Sequence, residues 1–286
     1  MDYVADAGHP AVIARLLHEY GLQPKKGAGQ NFFSDPDMLE KIADAGMIEA
    51  GDTVLEIGPG LGSLTQRLAK RAGHVVAVEL DRDLLPVLEE TTGSFGNVSV
   101  INGDFLRMKD EKLGEILGDA PRILVVSNLP YNITNDAVQK LLLSELPIAG
   151  ITLLLQKEAA QRIQAQAGEK QYWITSMLNA YYAESKILFD VSRECFYPMP
   201  GVTSSVIRIV RKEPRPIPQC GKEHLWQVAH ACIAMRRKTL ANNLKSAGFE
   251  KERFMQALEA CGIDPGIRGE VLPIEKIEEL ANALYQ

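Results

Sequence analysis

The stretch "LEIGPGLGSLTQRLA", residues 55–69, reads as an apolar strand, a turn carrying Gly58, Gly60 and Gly62, and a helix with apolar residues at three and four spacing. Glycine lets a backbone turn sharply and come close to a ligand. A strand, a glycine turn and a helix in that order open a doubly wound α/β sheet, which binds its ligand at the carboxyl ends of its strands. Working outward, "HVVAVEL" (74–80), "VSVING" (98–103), "RILVVSN" (122–128) and "GITLLLQ" (150–156) repeat the strand signal, and helical patterns lie between them. Strands this continuously apolar are buried on both faces, as in a parallel sheet covered by crossover helices.

After that sheet the pattern changes. "ILFDVSRECFYPMPGVTSSVIRIV" (187–210) holds two β-like runs around a proline-interrupted loop, expected as a hairpin closing the sheet edge. "RKEPRPIPQ" (211–219) reads as a linker, and helical segments are expected near 222–234, 237–246, 250–260 and 274–285. The division is therefore a sheet domain over 1–210 and a smaller all-helical domain over 211–286.

The 286 residues carry a formal charge of −6, unevenly spread. Residues 211–245 hold eight Lys/Arg against two Asp/Glu, residues 246–286 hold four against eight, and the remaining −8 falls on residues 1–210. Basic character is thus confined to one segment, where a local patch can serve an anionic partner despite an acidic total. No apolar run reaches the roughly 18 residues of a membrane span, and the N-terminus lacks a signal-peptide pattern, so a cytoplasmic location is expected. Cys195, Cys220, Cys232 and Cys261 are widely spaced without a C-x-x-C pair, which favours free thiols and no metal site.

Glu79 ends the second strand 21 residues past Gly58, where a carboxylate can accept both hydroxyls of a ribose. The glycine spacing is G-x-G-x-G with Glu56 two residues upstream, not the G-x-G-x-x-G of dinucleotide sites. "NGDF" (102–105) ends the third strand with Asp104, placed to accept from an adenine amino group, and Phe105, placed to pack on the base. S-adenosylmethionine fits all three strand ends. Glu56 is read evenly as a cofactor contact or as a brace of the loop.

The fourth strand ends in "NLPY", residues 128–131. An exocyclic base amine is a poor nucleophile because its lone pair is delocalised into the ring. The Asn128 side-chain oxygen and the Leu129 carbonyl are two acceptors suited to its hydrogens and to the positive charge that grows on its nitrogen. Pro130 holds Leu129 extended and so directs that carbonyl, and Tyr131 offers a flat face to an extruded base.

With "GQNFF" (29–33), "LEIGPGLGSLT", "VELDRDL", "GDF", "NLPYNIT", "QKEAAQRIQAQAGEKQY" (156–172), "FYPMPGVTSSVIRI" (196–209) and "RRKTLANNLK" (236–245) in order, nearly the whole chain resembles the bacterial small-subunit rRNA adenine dimethyltransferase family. The resemblance implies a Rossmann-like class I methyltransferase sheet and S-adenosylmethionine-dependent dimethylation of the N6 amines of two adjacent adenosines. These lie in a hairpin loop near the 3′ end of 16S rRNA in the immature small subunit. It implies that Gln30, Asn31 and Phe33 close over the cofactor, that Gly58, Gly60, Glu79, Asp104 and Asn128 bind it, and that Phe196 stacks on the target base opposite Tyr131. Ser127 stands where that family often has Gly before NLPY.

Arg236, Arg237 and Lys238 are expected near a helix start, where they suit RNA phosphates. Lys25 and Lys26 are read as a second anchor, and Tyr172 and Trp173 as packing residues. A monomer without membrane or metal partners is expected. Three other readings remain: a large-subunit rRNA methyltransferase of the erythromycin-resistance type, an assembly factor with a vestigial pocket, and a methyltransferase for small molecules or DNA.

Overall fold

The computed structural model describes residues 4–25 and 29–285. Two compact units emerge, one of residues 1–160 with 185–211, the other of 161–184 with 212–286.

In chain order the elements are α1 (Pro10–Glu19), β1 (Phe32–Phe33), α2 (Pro36–Ala45), β2 (Thr53–Ile57), α3 (Ser63–Ala69), β3 (His74–Glu79), α4 (Leu85–Thr92), β4 (Val98–Asn102), α5 (Asp110–Leu117), β5 (Ile123–Asn128), α6 (Thr134–Leu143), β6 (Ile148–Gln156), α7 (Lys157–Gln164), α8 (Ile174–Tyr182), β7 (Ala183–Val191), β8 (Phe196–Tyr197), β9 (Ser204–Arg211), α9 (Lys222–Ile233), α10 (Leu240–Ser246), α11 (Lys251–Ala260) and α12 (Ile274–Tyr285).

The first unit is built on a sheet of order β4-β3-β2-β5-β6-β9-β7. Strands β4 to β6 run parallel and β9 pairs antiparallel with β6. The central β2 sits between β3 and β5, with Leu55 opposite both Val76 and Val125. All five β2 residues are buried, which is why its sequence shows no alternation. Leu55 is 1% exposed, so its truncation to Ala would cost about 2–5 kcal/mol. Because these strands are parallel, the residues after β2, β3, β4 and β5 emerge at one edge and share the crevice there. Helix starts follow from local chemistry: Asp35 caps α2 by accepting from the Met38 amide at 3.0 Å, with Pro36 at the first turn.

The edge expected as a hairpin contains β7 and β9, and the loop between them holds the short β8, which pairs with β1.

The second unit packs α7's end, α8 and α9–α12. Its aromatic centre sets Tyr182 edge-on to Tyr181, ring centroids 4.8 Å apart, and 5.8 Å from Trp226. Residues 161–184 group with this unit, whereas the division at 210 places them with the sheet, whose strand β7 begins at Ala183. The Tyr181 hydroxyl donates to Glu278 at 2.7 Å and that of buried Tyr172 to the Leu272 carbonyl at 3.2 Å, both of them contacts to the last 15 residues. The four cysteines are free thiols. Among the described residues no helix is long and apolar enough to cross a membrane.

Candidate active site

At the carboxyl edge of the sheet lies a cavity of about 400 Å³. Its glycine wall is set by backbone need. Gly58 has φ +71°, and a Cβ there would stand 3.2 Å from the Pro130 ring, so the turn after β2 and the turn after β5 touch where a side chain has no room. Gly62 has φ +83° and would drive a Cβ to 2.7 Å from Thr91 Oγ1, which fixes the start of α3.

Four carboxyl groups line this cavity, those of Glu56, Glu79, Asp81 and Asp104. Glu79, 6% exposed, accepts the Asp81 amide at 2.8 Å and the Gly60 amide at 3.2 Å. Burial raises its pKa, and those amides oppose the rise. Glu56, 1% exposed, accepts from Thr65 Oγ1 at 2.6 Å, and burial pushes its pKa to about 8. Glu56 thus lines the cavity and, through Thr65, braces α3. Asp104 caps the turn Phe105–Arg107 through the Leu106 amide at 3.0 Å and meets Arg107 Nε at 3.3 Å, so it caps a turn while facing the cavity.

The N-terminal motif is fastened to the loop after β3. Gln30 accepts the Lys25 amide at 2.9 Å and donates to Asp81 at 2.8 Å, while Lys25 Nζ meets Asp81 and Asp83, each at 2.8 Å. Asp81 also gives its own amide to Glu79, so one chain of bonds runs from Lys25 to Glu79. Lys25 thus pairs with two carboxylates, and Lys26 lies outside the described residues. Asn31 donates to the Gly29 carbonyl at 3.1 Å and lines the cavity with Gln30 and Phe33. Sequence spacing singles out neither Asp81 nor Asp83, because their partners are more than 50 residues away.

Phe196 is not among the cavity-lining residues. In the β1–β8 pair it stands opposite Phe33, its ring 4.7 Å from that ring at 60°, and it is 4% exposed in an apolar cluster with Ile42, Leu154 and Val206. The expected base-stacking position is thus replaced by a core position behind Phe33.

The corner at the end of β5 is held from several sides. Buried Ser127 donates to the Ile57 carbonyl at 2.6 Å, tying β5 to β2, and the Leu129 amide donates to Leu154 at 3.2 Å. The Pro130 carbonyl accepts from Ile133 and Thr134. The Tyr131 hydroxyl shares a 2.8 Å bond with Ser204 Oγ, and burial raises the tyrosine pKa. Within this bonded frame, neither the Asn128 side chain nor the Leu129 carbonyl has a hydrogen-bond partner among the described residues, and both residues line the cavity. Leu129 is 1% exposed. A buried carbonyl is paired in more than about nine cases in ten, so one left open beside a cavity is available to a ligand donor.

In the helical unit, Arg236, Arg237 and Lys238 lie in the turn between α9 and α10, and Thr239 caps α10 through the Asn242 amide. The helix starts three residues later than the expected 237. Arg236 pairs with Glu270 at 2.8 Å and lies 5.8 Å from the Trp173 ring centroid, whereas Arg237 and Lys238 are exposed. Trp173 thus packs under a guanidinium. Among the described residues no group of His, Cys, Asp and Glu assembles as a metal site.

The order of the sheet and the glycine cavity at its carboxyl edge define a class I methyltransferase fold. A dimethyladenosine transferase from Plasmodium falciparum superposes with a TM-score of 0.71 over 87% of this chain and 95% of its own, at 23% identity. The 23S rRNA methyltransferase ErmE gives 0.63 over 90% of this chain and 100% of its own, at 26% identity. A "Ribosomal RNA small subunit methyltransferase A" of Moorella thermoacetica is 42% identical over 99% of each chain. The family model described as "Ribosomal RNA adenine dimethylase" matches residues 21–286. The chain belongs to the ribosomal RNA adenine dimethylase family.

Proposed function

We propose that this protein uses S-adenosylmethionine to dimethylate the N6 amines of two adjacent adenosines in a 3′-end hairpin loop of 16S rRNA, during maturation of the small subunit. The observation that carries the reading is the pair of unpartnered acceptors, Asn128 Oδ1 and the Leu129 carbonyl, set in one cavity with Glu79, Asp104 and the glycine turn.

The cavity fits the cofactor. Gly58 and Gly60, both at positive φ, bring bare backbone to its lining, Glu79 suits the ribose hydroxyls, Asp104 suits the adenine amino group, and Gln30, Asn31 and Phe33 line it as well. When bound, S-adenosylmethionine supplies a methyl group carried on positively charged sulfur.

The rest follows from the chain's own groups. An adenine amine that donates its two hydrogens to Asn128 and Leu129 has its nitrogen fixed in place, which removes most of the orientational barrier. As that nitrogen takes its new bond it gains positive charge, and the two acceptors stabilise the charge where it forms. The leaving proton passes to solvent. The second transfer begins with one hydrogen on nitrogen, so a single acceptor then holds it. Tyr131, braced by Ser204, supplies a face for the extruded base, and Phe196 acts from behind by supporting Phe33. Arg237 and Lys238 remain open to phosphates, while Arg236 sets the turn through Glu270.

Mass mapping of methylated adenosines tests this after incubation with labelled cofactor and isolated small or large subunits. Two adjacent dimethylated adenosines near the 3′ end of 16S rRNA are expected. Label confined to 23S rRNA would instead assign the erythromycin-resistance type, and no label with retained subunit binding would assign an assembly factor.

A further inference from the structure

Lys140 lies on α6, the helix that follows the Asn128–Tyr131 corner, and its ammonium group turns inward. Nζ donates to the Phe105 carbonyl at 2.7 Å, to the Leu106 carbonyl at 3.2 Å and to the Met108 carbonyl, and it stands 4.9 Å from the centroid of the Phe105 ring. An ammonium has three N–H donors and no acceptor, so three carbonyls use it completely. Most lysines keep that head in water. This one is partly withdrawn: burial lowers its pKa, and Asp110 and Asp104 oppose the fall.

The three carbonyls belong to the turn that follows β4. That turn presents Asp104 and Phe105 to the cavity, and the turn leading into α6 presents Asn132 and Ile133 to it. Lys140 thus joins the two walls through one side chain. We propose that Lys140 is a positioning residue that fixes the adenosine end of the cofactor site by bolting the 104–108 turn to the helix behind the acceptor corner. The proposal rests on the S-adenosylmethionine reading of the cavity. A hydrophobic replacement leaves three carbonyls to recruit water and frees Asp104 and Phe105 from the helix, and the ligand must then order them on binding.

Titration calorimetry with S-adenosylhomocysteine and with adenosine, on the full chain, tests this without turnover. Lys140→Met should weaken both ligands by the same factor, about tenfold, because the turn meets the part they share. Lys140→Arg should stay within about threefold of wild type, since a guanidinium also offers several donors at the same charge. Hydrogen exchange of the ligand-free protein should show faster exchange confined to the 104–108 amides in the Met variant. Should the Met variant not fold, Lys140→Gln is read by the same criteria. Affinity within twofold of wild type, or loss of S-adenosylhomocysteine affinity with adenosine unaffected, overturns the inference alone. A wild-type protein that takes neither ligand contradicts the cofactor reading itself, and the inference with it.

Discussion

Removing the Asn128 amide separates chemistry from folding. Its side chain makes no hydrogen bond with any described residue, so Asn128→Ala breaks no internal contact, and stability should change by no more than about 0.5 kcal/mol. If the amide oxygen is one of two acceptors that stabilise a developing positive charge, its loss resembles removal of one preorganised oxyanion-hole donor, with the sign of charge reversed. That effect is about 2.7–4 kcal/mol, or roughly 10²–10³ in rate. The retained Leu129 carbonyl keeps the loss from being total. Single-turnover methyl transfer to small subunits with saturating cofactor measures the chemical step, and thermal melting measures stability beside it. Subunit binding should be unchanged, because Asn128 is not among the residues proposed to meet phosphates. Turnover within threefold of wild type would refute the acceptor role. A large fall in melting temperature would show that the amide is structural.

Other outcomes follow from the same geometry. Glu56 has its pKa raised to about 8, so the folded protein holds a proton there that the unfolded chain loses near the ordinary glutamate value; stability falls as pH rises from about 4.5 through 8. Glu56→Gln, which keeps an acceptor for Thr65, should match wild type in melting temperature near pH 5 and exceed it near pH 9; equal slopes at both ends would exclude this. Gly58→Ala forces a Cβ into a positive-φ turn 3.2 Å from Pro130 and should lose cofactor affinity at least tenfold, with a stability cost of about 1–2 kcal/mol, read by calorimetry and melting. Tyr131→Ala removes a stacking face worth about 1–3 kcal/mol per base and should slow transfer accordingly, while Tyr131→Phe, which loses only the Ser204 bond, should slow it a few-fold. Arg237→Glu with Lys238→Glu should reduce the salt dependence of subunit binding at unchanged melting temperature, whereas Arg236→Ala should lower the melting temperature because it strips Glu270 of its partner.

The parallel sheet was legible because β2, β3, β5 and β6 are buried on both faces and write that burial as unbroken apolar runs. The site followed from it, since parallel strands must deliver Gly58, Glu79, Asp104 and Asn128 to one edge. What the residues could not show are facts of tertiary pairing. Residues 161–184 sit between two strands in the chain, and only the bonds from Tyr172 and Tyr181 to the C-terminal segment place them with the helical unit. Asp81 looks like a solvated loop carboxylate until Gln30 and Lys25 arrive from 51 and 56 residues away. An aromatic at 196 suits a base platform or a core equally well, and the pairing of β8 with β1 decides for the core. Arg236 reads as one of three equivalent cations, yet Glu270 and Trp173 set it apart.

The central claim is that two open acceptors at residues 128 and 129 take the hydrogens of an adenine amine. A crystal structure of the protein with S-adenosylhomocysteine and the 16S hairpin addresses it most directly. The account predicts an everted adenine with N6 at about 2.7–3.2 Å from both Asn128 Oδ1 and the Leu129 carbonyl, its ring against Tyr131. An adenine seated in the cavity with its amine turned to other groups, and those two oxygens bonded to water, would contradict it.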